Sequence, residues 1–298
     1  MTDKAPSRRA RAAGGAKSGA KFGWSIVSGA LARAGRNNIG IASAGVAFYI
    51  FLSIVPLLAA TVLTYGLVSD AQSVARDIGK LSSVMPPSAA ELFAEQLRNV
   101  VATSKGKQGL GLVLALGLAL VGARNGAGSI LTALNIAHGV PEGRTFIRAN
   151  AMALLITVCG VVGVIVALVA IAALAALLAL LPTGLAIAGS GVTYTATTLG
   201  GIAGAAALYR YAPNRELPRW KLVLPGAIFA ALGWLLLTLG FGVYVSQFGN
   251  YNATYGSLSA VVVLLTWLYF SAYALLFGAE LNAAWGDRRP GYEGLAVG

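Results

Sequence analysis

The chain has 298 residues, 57 % hydrophobic and 11 % charged, against roughly 25 % charge in an ordinary soluble domain, and its net charge is +12. So little charge on a chain of this size excludes a water-soluble globule and points to lipid as the solvent for much of its surface. Cys159 stands alone, which excludes an intrachain disulfide and a cysteine-based metal cluster.

Residues 1–32, rich in Ala, Gly, Lys and Arg, read as a basic, disordered cytoplasmic tail. Beyond them, a bilayer core of about 30 Å requires about 20 apolar residues as helix. Six runs are expected to meet that requirement. The first, Ile39 to Val68, contains Pro56 in "FLSIVPLLAA". The missing N–H predicts a kink there and makes Pro56 a candidate hinge. Residues 69–108 are the sizeable polar stretch outside the membrane. Ser88 and Glu91 have capping-box spacing. Leu92, Phe93, Leu97, Val100 and Val101 line one helical face, and Val74, Ile78 and Leu81 make a weaker stripe before Pro86 and Pro87. Two extracytoplasmic amphipathic helices are expected here, covering the outer face of the bundle or receiving a protein partner.

The second run begins near Leu110 and must continue through "VGARNGAGS", because its clean apolar part is too short to cross. Arg124 and Asn125 then lie near or within the inner leaflet, among Gly122, Gly126, Gly128 and Ser129. Small residues admit a close helix neighbour, and a cation there should face the bundle and find a partner. The third run is Ala149 to Leu181, and the fourth is Gly191 to Tyr209, with a G-x-x-x-G spacing at Gly200 and Gly204. The fifth is Leu222 to Phe248 and the sixth Tyr255 to Leu281. Between these two, "GNYNATYGS" supplies Asn250, Tyr251, Asn252, Tyr255 and Gly256. That composition predicts a tight turn, with a constriction or recognition loop at the outer face as the alternative.

The sixth run ends in "GAELNAAW", with Glu280 and Asn282. Running inward, it brings Glu280 to the cytoplasmic depth expected for Arg124, so the two are expected to pair, with Arg210 as the competing cation. Arg124, Asn125, Glu280 and Asn282 thus make one candidate intramembrane polar site: a structural ion pair, or a place for a headgroup, ion or proton.

Charge orients the runs. Of 22 Lys and Arg, all but Arg76, Lys80, Arg98, Lys105 and Lys107 fall in segments that six crossings place on one side. The positive-inside rule then puts both termini in the cytoplasm. The expected organisation is all-α: a basic tail (1–32), a six-helix membrane domain (33–286) and a short cytoplasmic tail (287–298). The basic tail suits anionic lipid headgroups and topology better than nucleic acid.

Four stretches carry a resemblance. "ASAGVAFYIFLSIVPLL" (42–58), "ALNIAHGVPEGRTFIR" (133–148), "YRYAPNRELPRWKLVLPGAIFAALGW" (209–234) and "YVSQFGNYNATYGSLSAVVVLLTWLYFSAYALLFGAELNA" (244–283) resemble the YihY/BrkB family of bacterial inner-membrane proteins, over Arg33 to Arg289. The resemblance implies six helices with cytoplasmic termini and no agreed catalytic role. Members have carried the labels ribonuclease BN and virulence factor, and some are associated with envelope lipid export. Positions matching the family pattern include Tyr49, Ser53, Pro56, Asn135, Pro213, Asn214, Pro225, Asn250, Gly278, Glu280 and Asn282. This chain reads "AFYIFLSIVP" where relatives often have two adjacent tyrosines.

Enzyme chemistry finds little to work with. Metal-dependent RNA hydrolysis wants clustered His, Asp or Glu. Here His138 is the one histidine, and the ten acids are scattered. "GGAKSGAKFG" lacks the phosphate-binding G-x-x-x-x-G-K-[ST] pattern. No cofactor, metal or nucleic acid is expected. Transport or flipping of an amphiphile or small solute is the first reading. The alternative is a membrane scaffold that docks partners through 69–108 and "RYAPNRELPRWK".

Overall fold

The computed structural model describes residues 23–68, 108–179, 186–247 and 258–287. The expected amphipathic helices of 69–107 and the outer loop with Asn250, Tyr251, Asn252, Tyr255 and Gly256 lie outside the described residues.

Every regular element among the described residues is an α-helix. In chain order they are α1 (Gly23–Arg36), α2 (Ile39–Val68), α3 (Gln108–Ala137), α4 (Phe146–Ala179), α5 (Ala186–Tyr211), α6 (Trp220–Gln247) and α7 (Leu258–Gly286). Among these residues, α6 over Trp220–Tyr244 and α7 over Val261–Gly286 are long and apolar enough to cross a bilayer, with mean hydropathies of 2.2 and 2.0. The bent pair α1 and α2 makes a third if taken as one span.

Where side chains sit is the reverse of a soluble protein. The buried apolar set is largely alanine: Ala30, Ala34, Ala133, Ala137, Ala205, Ala206, Ala227, Ala279 and more. Leucine and valine face outward instead, as at Leu114 and Leu118 on α3, Leu155 and Val162 on α4, and Leu236 and Val243 on α6. Lipid tails are as apolar as Leu, so helices in a bilayer gain nothing by hiding Leu and pack instead through small residues. This is a membrane protein.

Neighbour relations follow chain order and close into a ring. The most extensive pairings are α2 on α3 and α6 on α7, while α7 also packs against α2 and α5 against α6. Helix α4 joins α3 to α5 through thinner contacts.

One expectation about the start of the chain is corrected. The segment read as a disordered tail is helical from Gly23, because Ile26, Ala30 and Ala34 repeat on one face and bury it. The bend seen among the described residues is at Asn37–Asn38, where α1 meets the start of α2 at 67°. Asn38 has φ 49°, in the left-handed region that asparagine tolerates better than most residues. Pro56 lies inside α2 but beyond the residues whose side chains are described. The expected hinge there is untouched by this finding.

The chain connections near α1 gather at one end of the bundle, the polar end. Helix α3 closes with Gly139 at φ 66° and the bond Val140 N–H to Asn135 O at 3.0 Å, a left-handed C-terminal cap. Asn135 then ties this link to the one after α5. Its Oδ1 accepts from the Asn214 backbone N–H at 2.7 Å, and its Nδ2 donates to Glu142 at 2.8 Å. Arg144 Nη2 donates to the Ala212 carbonyl at 2.7 Å, and Arg215 meets His138 Nε2 at 3.4 Å. Two links that charge alone assigns to one side, α3–α4 and α5–α6, are therefore hydrogen-bonded to each other.

Candidate functional site

Glu280 is fully buried. A carboxylate so placed needs charge and donors, and both come from α1 and its turn. Arg33 Nε lies 3.2 Å from Oε2, and Asn37 Nδ2 donates to Oε1 at 2.6 Å. Arg33 spends its other nitrogens nearby. Nη1 reaches Asp287 at 2.8 Å, and Nη2 donates to the Ala137 carbonyl at the end of α3 at 2.9 Å. A cation on the last carbonyls of a helix also meets the negative end of its dipole. One guanidinium thus staples α1 to α7 and to α3.

The expected pairing of Glu280 with Arg124 or Arg210 is therefore wrong, and distance along α3 explains it. Arg33 joins Glu280 to the carbonyl of Ala137, whereas Arg124 lies thirteen residues earlier, about 20 Å of helix. Arg210 instead donates to the Pro218 carbonyl and stacks 4.6 Å over the Trp220 ring.

Asn282, one face away on α7, does a different job. Pro225 sits inside α6 and cannot donate to the helix ladder. Beside it, Asn282 Oδ1 accepts from Gly226 N–H at 2.7 Å and Nδ2 donates to Val223 O at 3.0 Å. The helices touch there: a Cβ on Gly226 would stand 2.0 Å from Gly278 O, and one on Gly278 would stand 2.5 Å from Tyr209 Oη. Tyr209, itself fully buried, donates to Leu275 O at 2.5 Å. Glu280 and Asn282 are thus parts of a closed, well-satisfied packing centre.

Arg124 and Asn125 belong elsewhere. Helices α2 and α3 approach most closely where a Cβ on Gly122 would stand 2.9 Å from Ser53 Cβ, and one on Gly126 would stand 3.3 Å from Ile50. From that crossing toward the polar end runs an open cleft of about 650 Å³. Its α3 wall carries Arg124, Asn125, Gly128, Ser129, Thr132 and Ile136. Its α2 wall carries Ile41, Gly45 and Tyr49, and Asn37 and Asn38 form its polar-end mouth. The residues recur at intervals of four because one helical face supplies each wall. Arg124 Nη1 donates to Asn125 Oδ1 at 2.8 Å, and Nη2 to Asn150 Oδ1 on α4. Both acceptors are neutral amides.

The single polar site expected from the sequence thus divides in two, with Asn37 touching both. Sequence reasoning missed Arg33, Asn37 and Asn150. The four-residue step from Arg33 to Asn37 was a usable signal, since it puts both on one helical face. Among the described residues, no group of three or more His, Cys, Asp or Glu gathers in a way that could hold a metal.

Comparison with known proteins now adds a family. The ribonuclease-like protein YfkH of Bacillus subtilis is 31 % identical over 250 residues, 81 % of this chain and 88 % of that protein. A UPF0761 membrane protein of Tolumonas auensis is 41 % identical over 90 residues, 30 % of this chain and 28 % of the relative. One from Vibrio cholerae (El Tor Inaba N16961) is 38 % identical over 81 residues, 27 % of each chain. No solved structure matches. The virulence factor BrkB family profile matches residues 30–295, nearly the whole length, and the chain belongs to that family.

Proposed function

We propose that this protein crosses the bacterial inner membrane six times, with both termini in the cytoplasm, and moves an amphiphile or small solute across it. The topology rests on the basic residues: they crowd the links that meet at the polar end, and the positive-inside rule makes that end cytoplasmic. The movement rests on the cleft between α2 and α3. A groove of about 650 Å³ beside an arginine near the middle of a membrane helix is expensive to maintain. Its mouth opens at the cytoplasmic end, and its flanks carry the exposed apolar side chains of Ile41 and Ile136, so a ligand with a polar head and an oily body could enter from the leaflet. Nuclease chemistry is not part of the proposal, since the described residues offer no cluster of ligands or general bases for it.

Liposome reconstitution tests this. Purified protein would be incorporated into vesicles carrying a fluorescent lipid, and its exchange between leaflets followed by quenching from outside. Gly128→Phe is the informative variant: a Cβ there has nothing within 4 Å, so a large ring fills the cleft without a first-atom clash. Wild type should move lipid and Gly128→Phe should not, at equal yield of folded protein. Inert wild-type vesicles, or equal rates, would refute the proposal.

A further inference from the structure

We infer that the cleft recognises an oxyanion of the phosphate or carboxylate type, with Arg124 as the receptor. This rests on reading the cleft as the substrate path, and adds what the substrate must carry.

Arg33 and Arg124 are treated differently. Arg33 meets two carboxylates and a helix C-terminus. Arg124, near the midpoint of α3, has no carboxylate within 4.0 Å among the described residues. Its hydrogen-bond acceptors are Asn125 and Asn150, whose amide oxygens fix the plane of the guanidinium without cancelling its charge. Five N–H groups are available on a guanidinium and these contacts take two, so enough remain for a two-pronged grip on an oxyanion. An unneutralised cation partway along a membrane helix is costly unless a counter-charge arrives. Among the described residues no Asp or Glu lines the cleft, so no carboxylate in it would receive the cation of a zwitterionic headgroup. Beside Arg124 the floor is bare: Cβ atoms added at Gly45 or Gly128 would meet nothing within 4 Å. The arrangement is a fixed cation at the closed end of a groove whose open length can take a chain.

The full chain in an uncharged maltoside detergent tests this. Its thermal unfolding would be followed with dihexanoyl phosphatidic acid, dihexanoyl phosphatidylcholine or inorganic phosphate, at about 150 mM salt, where attraction to the basic surface is screened within about 8 Å. Phosphatidic acid should raise the midpoint saturably and phosphatidylcholine should not. A shift with inorganic phosphate as well would identify a free oxyanion as sufficient; a shift with phosphatidic acid alone would identify a lipid head. Arg124→Gln should weaken the response about tenfold or more, the loss expected for a charged hydrogen-bonded contact. Arg124→Lys should keep a weaker preference. Gly128→Phe should abolish it, which serves if the Gln variant does not fold. Equal shifts with both lipids, or an undiminished preference in Arg124→Gln or Gly128→Phe, would overturn the inference. Selective binding without lipid movement leaves it standing and removes the transport proposal; equal movement of acidic and zwitterionic lipids does the opposite.

Discussion

Arg33 makes a quantitative test of the polar end. Replacing it with alanine strands Glu280, whose side chain is 0 % exposed, beside Asn37 alone. Breaking a buried pair from one side costs about 3 kcal/mol, and the lost bond to Ala137 O adds about 1. The contact with Asp287, 55 % exposed, adds less than about 0.5 kcal/mol. The sum is about 4 kcal/mol. Glu280→Gln should cost only about 1.5 kcal/mol, since its amide oxygen can still accept from Asn37 and Arg33 keeps two partners and some water. In the double variant no buried charge remains, so the loss should be about 3 kcal/mol rather than the additive 5.5 or so, a coupling of about 2.5 kcal/mol. Reversible unfolding in mixed micelles with increasing dodecyl sulfate would measure all four proteins. Additive losses would refute the reasoning, as would a Glu280→Gln variant as damaged as Arg33→Ala.

Asn282→Ala removes both bonds to the backbone beside Pro225 and should cost about 2 kcal/mol in the same unfolding assay. Gly226→Ala should yield no monodisperse folded peak by size exclusion, since its Cβ would meet backbone oxygen at 2.0 Å; Gly122→Ala should be milder but destabilising, against Ser53. Burial, and after it Arg215 and Arg33, hold the His138 imidazole well below its usual value of 6.5. The unfolded chain then binds a proton that the folded chain refuses. Stability is complete above about pH 6.5 and falls as pH drops below it, by at most about 1.4 kcal/mol per pH unit. His138→Asn should flatten that slope in unfolding measured between about pH 6.5 and 5, and an unchanged slope would assign it to other groups.

The long helices were legible because a run of apolar residues has one inexpensive fate in a bilayer. Their ends were less so. Helix α7 continues to Gly286, beyond the apolar run, where Arg33 bonds both Glu280 and Asp287 and hydropathy does not count such partners; α4 begins at Phe146, three residues before the expected start. Glu280 was recognisable as a misplaced acid, but its partner was not. Counting charges by side of the membrane treats one leaflet as one depth, whereas two groups in the same half can be 20 Å apart along a helix. Arg33 was spent in that count as a topology signal, so its role as a counter-ion went unread. Only the fold of α1 back against α3 and α7 gives it one.

The cleft marks where sequence reasoning meets its physical limit. Gly122, Gly126 and Gly128 stand together in "VGARNGAGS", and small residues in membrane helices are ordinarily taken as points of contact. Two of the three are: α2 lies within touching distance at Ser53 and Ile50. The third, half a turn further along, faces open space. A missing side chain lowers the barrier to close approach and also leaves a void if no neighbour comes. Which happens depends on the line of the facing helix. At the mouth of the groove the chain turns at Asn37–Asn38, where α1 meets α2 at 67° beside the Arg33 staple. Asn37 joins the two, since it donates to Glu280 in the closed network and also lines the cleft. Weakening the staple should therefore disturb the groove first at its Asn37 mouth, and only then at the Arg124 end about 20 Å away.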